Sequence, residues 1–213
     1  MLQRKLKLTP MMILKRGRFF YFFFHWLYEI VADFCLSGML LNRTIYNEEQ
    51  GAYPAQSISY LYLREMVKAV ELKVNDVFVD VGCAWGRLLG YMRRHTNAKK
   101  YIGIELNLAI AAKAKEIFQN MQNVEIIAGN VLDNFPMEGT VFFLFNPFDA
   151  EMMDSFLSLI EKSIIHKLRL YYLHPTCRHV FDERPQHWKL QEEIDLKPAH
   201  LGALTLCVYE YNA

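Results

Sequence analysis

Cysteine is scarce in this chain and never paired by spacing. Cys35, Cys83, Cys177 and Cys207 stand far apart among 213 residues, with no CxxC. That excludes a disulfide scaffold and a thiolate zinc cluster, and it suits reduced thiols in a cytoplasmic protein. The only grouping with metal-ligand residue types is His174-Pro-Thr-Cys177-Arg-His179. Three such residues on one short loop are a weak signal, so no metal is expected. Long apolar runs are missing too. FFYFFFHWLYEIVADFCL (residues 19–36) is broken by His25, Glu29 and Asp33, which leaves it short of the roughly 20 apolar residues of a membrane span. A basic stretch precedes this run as in a secretion signal, but no small-x-small cleavage site follows. Repeats and low-complexity tracts are absent.

An excess of either charge is lacking as well, the formal net charge being +1. The distribution is uneven. Arg4, Lys5, Lys7, Lys15, Arg16 and Arg18 fall in the first 18 residues with no acid among them, leaving 18 bases against 23 acids beyond. On this mildly acidic balance, no nucleic-acid partner is expected for the main body.

What the chain does have is apolar residues, 53% against 22% charged, enough for one cored α/β domain with an appendage. The expected division is a basic and aromatic helical extension over residues 1–41 and a domain over 42–213. In the extension, His25, Glu29 and Asp33 recur every four residues and form a narrow polar stripe on a helix otherwise rich in aromatics. Two readings fit. The helix packs on the main domain or on a second subunit, or it lies at a membrane interface with its basic flank toward anionic lipid, peripheral on the inner face. Residues 42–57, with Gly51 and Pro54, read as a loop, and SISYLYLREMVKAVEL as a helix.

From Val77 onward, β-rich runs alternate with helical stretches. VFVDV, KYIGIEL, VEIIA, TVFFLF and LRLYYLH read as buried strands, with helices after Trp85, over residues 108–121 and over 151–162. Such alternation predicts parallel strands with right-handed crossovers in a doubly wound sheet. WKLQEEIDL and LTLCVYEYN have only KPAHLGA between them. They predict an antiparallel hairpin that completes a seven-stranded, mostly parallel sheet.

The first strand runs into VFVDVGCAWGR. A strand, a Gly-rich turn and a helix expose backbone N–H groups to a ligand. The dinucleotide fingerprint GxGxxG would need glycine at 82, 84 and 87, where the chain has Gly82, Ala84 and Arg87. The spacing here is DxGxxxG, through Asp80, Gly82 and Gly86.

VFVDVGCAWG resembles the first motif of class I S-adenosylmethionine-dependent methyltransferases, and the later landmarks follow in order over residues 53–211. DVGCAWGR, GIEL and FLFNPF are similar to a group of small bacterial members with GCGKGR-like and NPF motifs. The resemblance implies a Rossmann-like domain that binds S-adenosylmethionine and releases S-adenosylhomocysteine. It implies that Asp80, Gly82, Cys83 and Gly86 form the turn under the cofactor and that Glu105 accepts hydrogen bonds from both ribose hydroxyls. Leu106 would lie against the adenine. Asn130 would take its amino group and Val131 would offer a backbone N–H. Tyr53, in a Tyr-Pro pair, would close over the cofactor.

Asn146-Pro147-Phe148 is similar to a reduced form of the N/D-P-P-Y/F motif of amino-nitrogen methyltransferases. The resemblance gives Asn146 and the adjacent carbonyl the role of orienting an amine, and Phe148 that of an aromatic lid. An oxygen acceptor would call for a general base, for which His174 and Asp149 are the residues at hand. Two positions depart from the family pattern: Ala84 replaces the middle glycine, and Asn130 a usual Asp. They keep open the alternative of a catalytically inactive, S-adenosylmethionine-binding scaffold or sensor. The acceptor itself is unidentified.

Overall fold

A computed structural model describes residues 10–37, 41, 57–198 and 201–213, with side chains described from Tyr21 in the first helix. Helix α1 spans Pro10–Ser37 and α2 Tyr60–Ala69. Then β1 (Val77–Val81), α3 (Arg87–His95), β2 (Lys100–Glu105), α4 (Leu108–Phe118) and β3 (Val124–Ala128) alternate. They are followed by β4 (Val141–Phe145), α5 (Ala150–Ser163), β5 (Leu168–Leu173), the short α6 (Arg178–Asp182), β6 (Trp188–Leu196) and β7 (Leu204–Tyr211). The sheet order is β3-β2-β1-β4-β5-β7-β6, with β1 to β5 parallel and β7 antiparallel to both its neighbours. This is the doubly wound, seven-stranded sheet that the sequence predicts, with the C-terminal hairpin closing one edge and a helix at the N-terminus.

The central strands β1, β4 and β5 are largely apolar because both sheet faces are covered there, whereas the edge strand β6 is polar and largely exposed. In β1, Val77, Val79 and Val81 face one core layer and Phe78 the other; in β4, Phe142 and Leu144 oppose Val141 and Phe143 in the same way. This is the period-two alternation of a strand buried on both sides. Helix starts are set by local side chains. Ser59 accepts from Leu61 N at the head of α2, Asn107 from Ala109 N and Ile110 N at α4, and Asp149 from Met152 N at α5, each satisfying an orphan N–H. The sheet order reverses between β1 and β4, and a crevice at such a switch point is where open α/β sheets bind ligands.

The polar stripe of α1 does not face solvent. Arg87, the first residue of α3 and only 2% exposed, donates to Glu29 Oε2 and to Asp33 Oδ2, each at 2.6 Å, and to the Ile58 carbonyl at 3.0 Å. Tyr60 caps the cluster, its OH donating to Asp33 Oδ1 at 2.9 Å and its ring lying 4.6 Å below the guanidinium. At Gly90 on α3, an added Cβ would come within 3.0 Å of Leu36, so the missing side chain lets α1 lie close. Packing on the domain, one of the two sequence readings, is observed for the polar stripe of this helix. Among the described residues, no helix is long and apolar enough to cross a membrane.

Candidate functional site

Every described residue with a positive φ sits just beyond the carboxyl end of a parallel strand. Gly82 (+81°), Ala84 (+48°) and Gly86 (+78°) follow β1, Gly129 (+126°) follows β3, Asn146 (+44°) follows β4, and His174 (+54°) follows β5. Left-handed backbone in residues other than glycine is uncommon and collects at functional turns. Here it rims a single edge of the sheet.

The β1 turn is held by backbone bonds. Gly82 N and Cys83 N both donate to the Ile104 carbonyl at 2.9 Å, and Gly86 N donates to Cys83 O at 2.8 Å. A Cβ on Gly82 would lie 3.3 Å from Pro147 Cβ, which brings the first motif against the fourth strand's turn. Gly86 serves packing instead, since a Cβ there would lie 2.4 Å from Phe118 of α4. Cys83 is turned inward, toward the space that Gly103 leaves by having no side chain. Burial pushes its thiol well up, so only its backbone is suited to a ligand. Ala84 does adopt the left-handed conformation at the position where the family pattern has glycine. The strain is about 1–2 kcal/mol, and its buried methyl packs with Leu41, Trp85 and Ile110.

Glu105 closes the turn from β2. Its Oε2 accepts from Ala84 N at 2.9 Å and its Oε1 from Asn107 N at 2.8 Å. Asp80 lies buried beside it, and burial, helped by the Glu105 charge, pushes the Asp80 carboxyl up to about 8. Folded Asp80 therefore keeps its proton over a range in which the unfolded chain, with the usual value of 3.8, has lost it. Its contribution to stability is fully present below that lower value and is lost as pH rises through the folded one, with a slope of up to about 1.4 kcal/mol per unit. Asp80→Asn, measured by urea denaturation at several pH values, is expected to gain stability relative to the parent between pH 4 and 8. Parallel curves for the two proteins would show that Asp80 is ionised in the fold.

Beyond β3, Asn130 Oδ1 accepts from Leu132 N at 2.9 Å, a local turn that fixes the side chain. Val131 is buried, and its N–H has no partner among the described residues, as suits a donor reserved for a ligand. Leu106 is half-buried next to Glu105. Beyond β4, Asn146 Oδ1 accepts from Tyr172 OH at 3.1 Å and from the Thr176 hydroxyl. Tyr172 OH itself accepts from Cys177 N at 3.2 Å, so its proton is directed to Asn146. Sequence reading missed Tyr172 and Thr176. The signal was only that LRLYYLHPT ends the strand adjacent to β4.

Other predicted residues stand apart from the crevice. Phe148 is 6% exposed, its ring 5.4 Å from that of Phe156, so stacking on an acceptor would require it to leave the core. Asp149 is engaged as the cap of α5, accepting from Met152 N at 2.9 Å. His174 is exposed, while Cys177 is buried with its thiol toward Phe148 O. Among the described residues, no three His, Cys, Asp or Glu side chains converge as a metal site. Tyr53 lies outside the described residues.

Comparison with known proteins defines the class of fold. The chain superposes on the pyocyanin biosynthetic protein PhzM with a TM-score of 0.59 at 14% identity, covering 72% of this chain and 55% of that one. It superposes on the Bacillus subtilis m1A22 tRNA methyltransferase TrmK with 0.58 at 16% identity, covering 71% and 65%. An RNA methyltransferase of Salinibacter ruber, in complex with S-adenosyl-L-homocysteine, gives 0.52 at 18% identity over 70% and 88%. The fold is thus that of the S-adenosylmethionine-dependent methyltransferases.

Relatives by sequence are methyltransferases too. The chain is 32% identical over 99 residues to a probable ribosomal RNA small subunit methyltransferase A of Methanosarcina acetivorans, covering 46% of this chain and 35% of that protein. It is 37% identical over 76 residues to the Methanosarcina mazei counterpart, covering 35% and 27%. The chain thus spans about a third of the length of the relatives it matches. No family model matches it.

These relatives correct one expectation. The charge balance argued against a nucleic-acid partner, yet the sequence relatives bear the names of ribosomal RNA methyltransferases. Net charge is a sum over the whole surface, whereas nucleic acid is gripped by local groups, and a base turned into a pocket is itself uncharged. A near-neutral body is no argument against RNA.

Proposed function

We propose that residues 42–213 form an S-adenosylmethionine-dependent methyltransferase domain whose acceptor is a nitrogen of a nucleobase in RNA. The observation that carries this reading is that Asp80, Gly82, Glu105, Val131 and Asn146 lie at or just beyond the carboxyl ends of β1, β2, β3 and β4, where the sheet order reverses. The relatives' names support RNA as the acceptor class. The residues fit the cofactor. Glu105 suits a ribose diol, the Val131 N–H, without a partner among the described residues, suits an adenine ring nitrogen, and Gly82, exposed and lacking a side chain, leaves room for the methionine end.

When bound, S-adenosylmethionine supplies a methyl group already activated on a sulfonium. The chain's residues then have three tasks: to hold the acceptor in line, exclude water and let a proton leave. Asn146 sits where the acceptor would lie. For an amine to be gripped by Asn146 Oδ1, the exposed Thr176 hydroxyl must give way, while Tyr172 keeps the amide in place. A second reading rests on that same contact. With Oδ1 engaged by two hydroxyls, Asn146 Nδ2 is the half left to donate, and it suits an acceptor atom with a lone pair, such as a ring nitrogen.

Calorimetric titration with S-adenosylmethionine and S-adenosylhomocysteine tests the cofactor, and transfer of labelled methyl into unmodified ribosomal and transfer RNA tests the acceptor. Micromolar binding and label in RNA are expected. Binding with no transfer to RNA, protein or small amines would favour a cofactor-binding scaffold or sensor. No binding to folded protein would remove both readings.

A further inference from the structure

Helix α1 is inside out for a helix lying on a domain. Its two acids, Glu29 and Asp33, are buried against Arg87, while Phe24 is 63%, Trp26 58% and Phe34 53% exposed. At about 100° per residue, Phe23, Phe34, Leu27, Val31, Phe24 and Tyr28 sweep an arc of roughly 140°, all of it exposed. Toward the N-terminus, Phe22 and Trp26 are exposed as well, on the side where Asp33 is buried against the domain further along the helix. No acid is left on the exposed arc. A continuous apolar surface of this kind marks an interaction site and not ordinary scatter.

We propose that this face docks on an anionic lipid surface, with α1 lying in the headgroup layer and the domain held against the membrane through Arg87. The proposal does not rest on the methyltransferase reading. Three observations select lipid as the occupant. The exposed residues are mostly Phe with Trp26, Tyr28 and Leu27, the composition of the apolar face that interfacial helices sink into the headgroup and acyl boundary. The same helix continues back through Lys15, Arg16 and Arg18, in a stretch of 18 residues with six bases and no acid, which complements a negative surface. Both acids of this helix, Glu29 and Asp33, are turned to Arg87 of the domain, so no negative charge of the helix opposes an anionic surface.

The full-length protein should be sedimented with vesicles of phosphatidylcholine alone and with about a third phosphatidylglycerol, at low and high salt. Trp85 and Trp188 are buried, so Trp26 is the exposed reporter among the three tryptophans. Co-sedimentation with the anionic vesicles, weakened by salt, and a blue shift of Trp26 emission are expected. Combining Phe24→Ser with Phe34→Ser should weaken partitioning by about tenfold or more, with the melting temperature unchanged. If that variant fails to fold, quenching of Trp26 in the parent protein by brominated lipid provides the same readout. Protein left in solution with both vesicle types would overturn the proposal. So would a lipid-free dimer in sedimentation velocity that shifts Trp26 emission by itself, because a second copy would then cover the face.

Discussion

Replacing Glu105 with alanine is expected to weaken S-adenosylmethionine and S-adenosylhomocysteine alike by about 100-fold or more. The ribose contact that the family resemblance gives Glu105 comes beside the Ala84 and Asn107 N–H groups, from which its carboxylate already accepts. Two ribose hydroxyls at charge-assisted bonds of about 1.5–3 kcal/mol each supply that factor. Alanine also orphans both N–H groups and loosens the turn around the already strained Ala84, so it acts on the cofactor and on the platform together. Glu105→Gln separates these effects. It retains an oxygen for one N–H while losing the charge and one acceptor, so the fold should survive and affinity should still drop by about tenfold or more. Titration calorimetry of both variants, with circular dichroism as the control for folding, decides the matter. Parent-like affinity in Glu105→Gln would mean that the ribose is held elsewhere. The same variants report on Asp80: with the neighbouring charge gone, its proton should leave at lower pH.

Much of this arrangement was legible before the structure. The central strands are short, buried apolar runs bounded by residues of other type, so their existence and approximate extent were readable. Gly82, Glu105, Asn130 and Asn146 could be placed at strand ends because strand ends are local features. What escaped was either long-range or a choice between equal local options. The pairing of Arg87 with Glu29 and Asp33 links residues 58 and 54 apart in sequence. Periodicity showed the acids as a stripe but could not show that a base would come to meet them. Nothing in FLFNPFD distinguishes a Phe148 that covers an acceptor from one that packs on Phe156. Asp149 was readable as a cap, since Asp before a helical run is a starting signal, but its nearness to the fourth strand drew it into the acid–base argument instead. Tyr172 and Thr176 reach Asn146 only because β4 and β5 pair in register.

The second large effect is expected at Arg87. Arg87→Met should lower unfolding stability by about 3–5 kcal/mol, the cost of leaving buried charges unpaired. Glu29 and Asp33 are both buried and each meets one guanidinium nitrogen. Removing the cation leaves two carboxylates facing each other, with Ser59, Tyr60 and Leu41 as hydrogen-bond donors among the described residues and His25 3.6 Å from Glu29. Arg87→Lys should recover only part of the loss, because one compact ammonium cannot fork to two acids while also reaching the Ile58 carbonyl. Combining Arg87→Met with Glu29→Gln and Asp33→Asn should restore more than lysine does, since no charge then remains buried. Urea denaturation gives the energies, and hydrogen exchange places them. Amides of α1 and of the first turn of α3 should lose protection first, because the network is what binds one to the other. A loss below about 1 kcal/mol for Arg87→Met would mean that water reaches the cluster, and that α1 is held by Leu36 on Gly90 and its apolar neighbours alone.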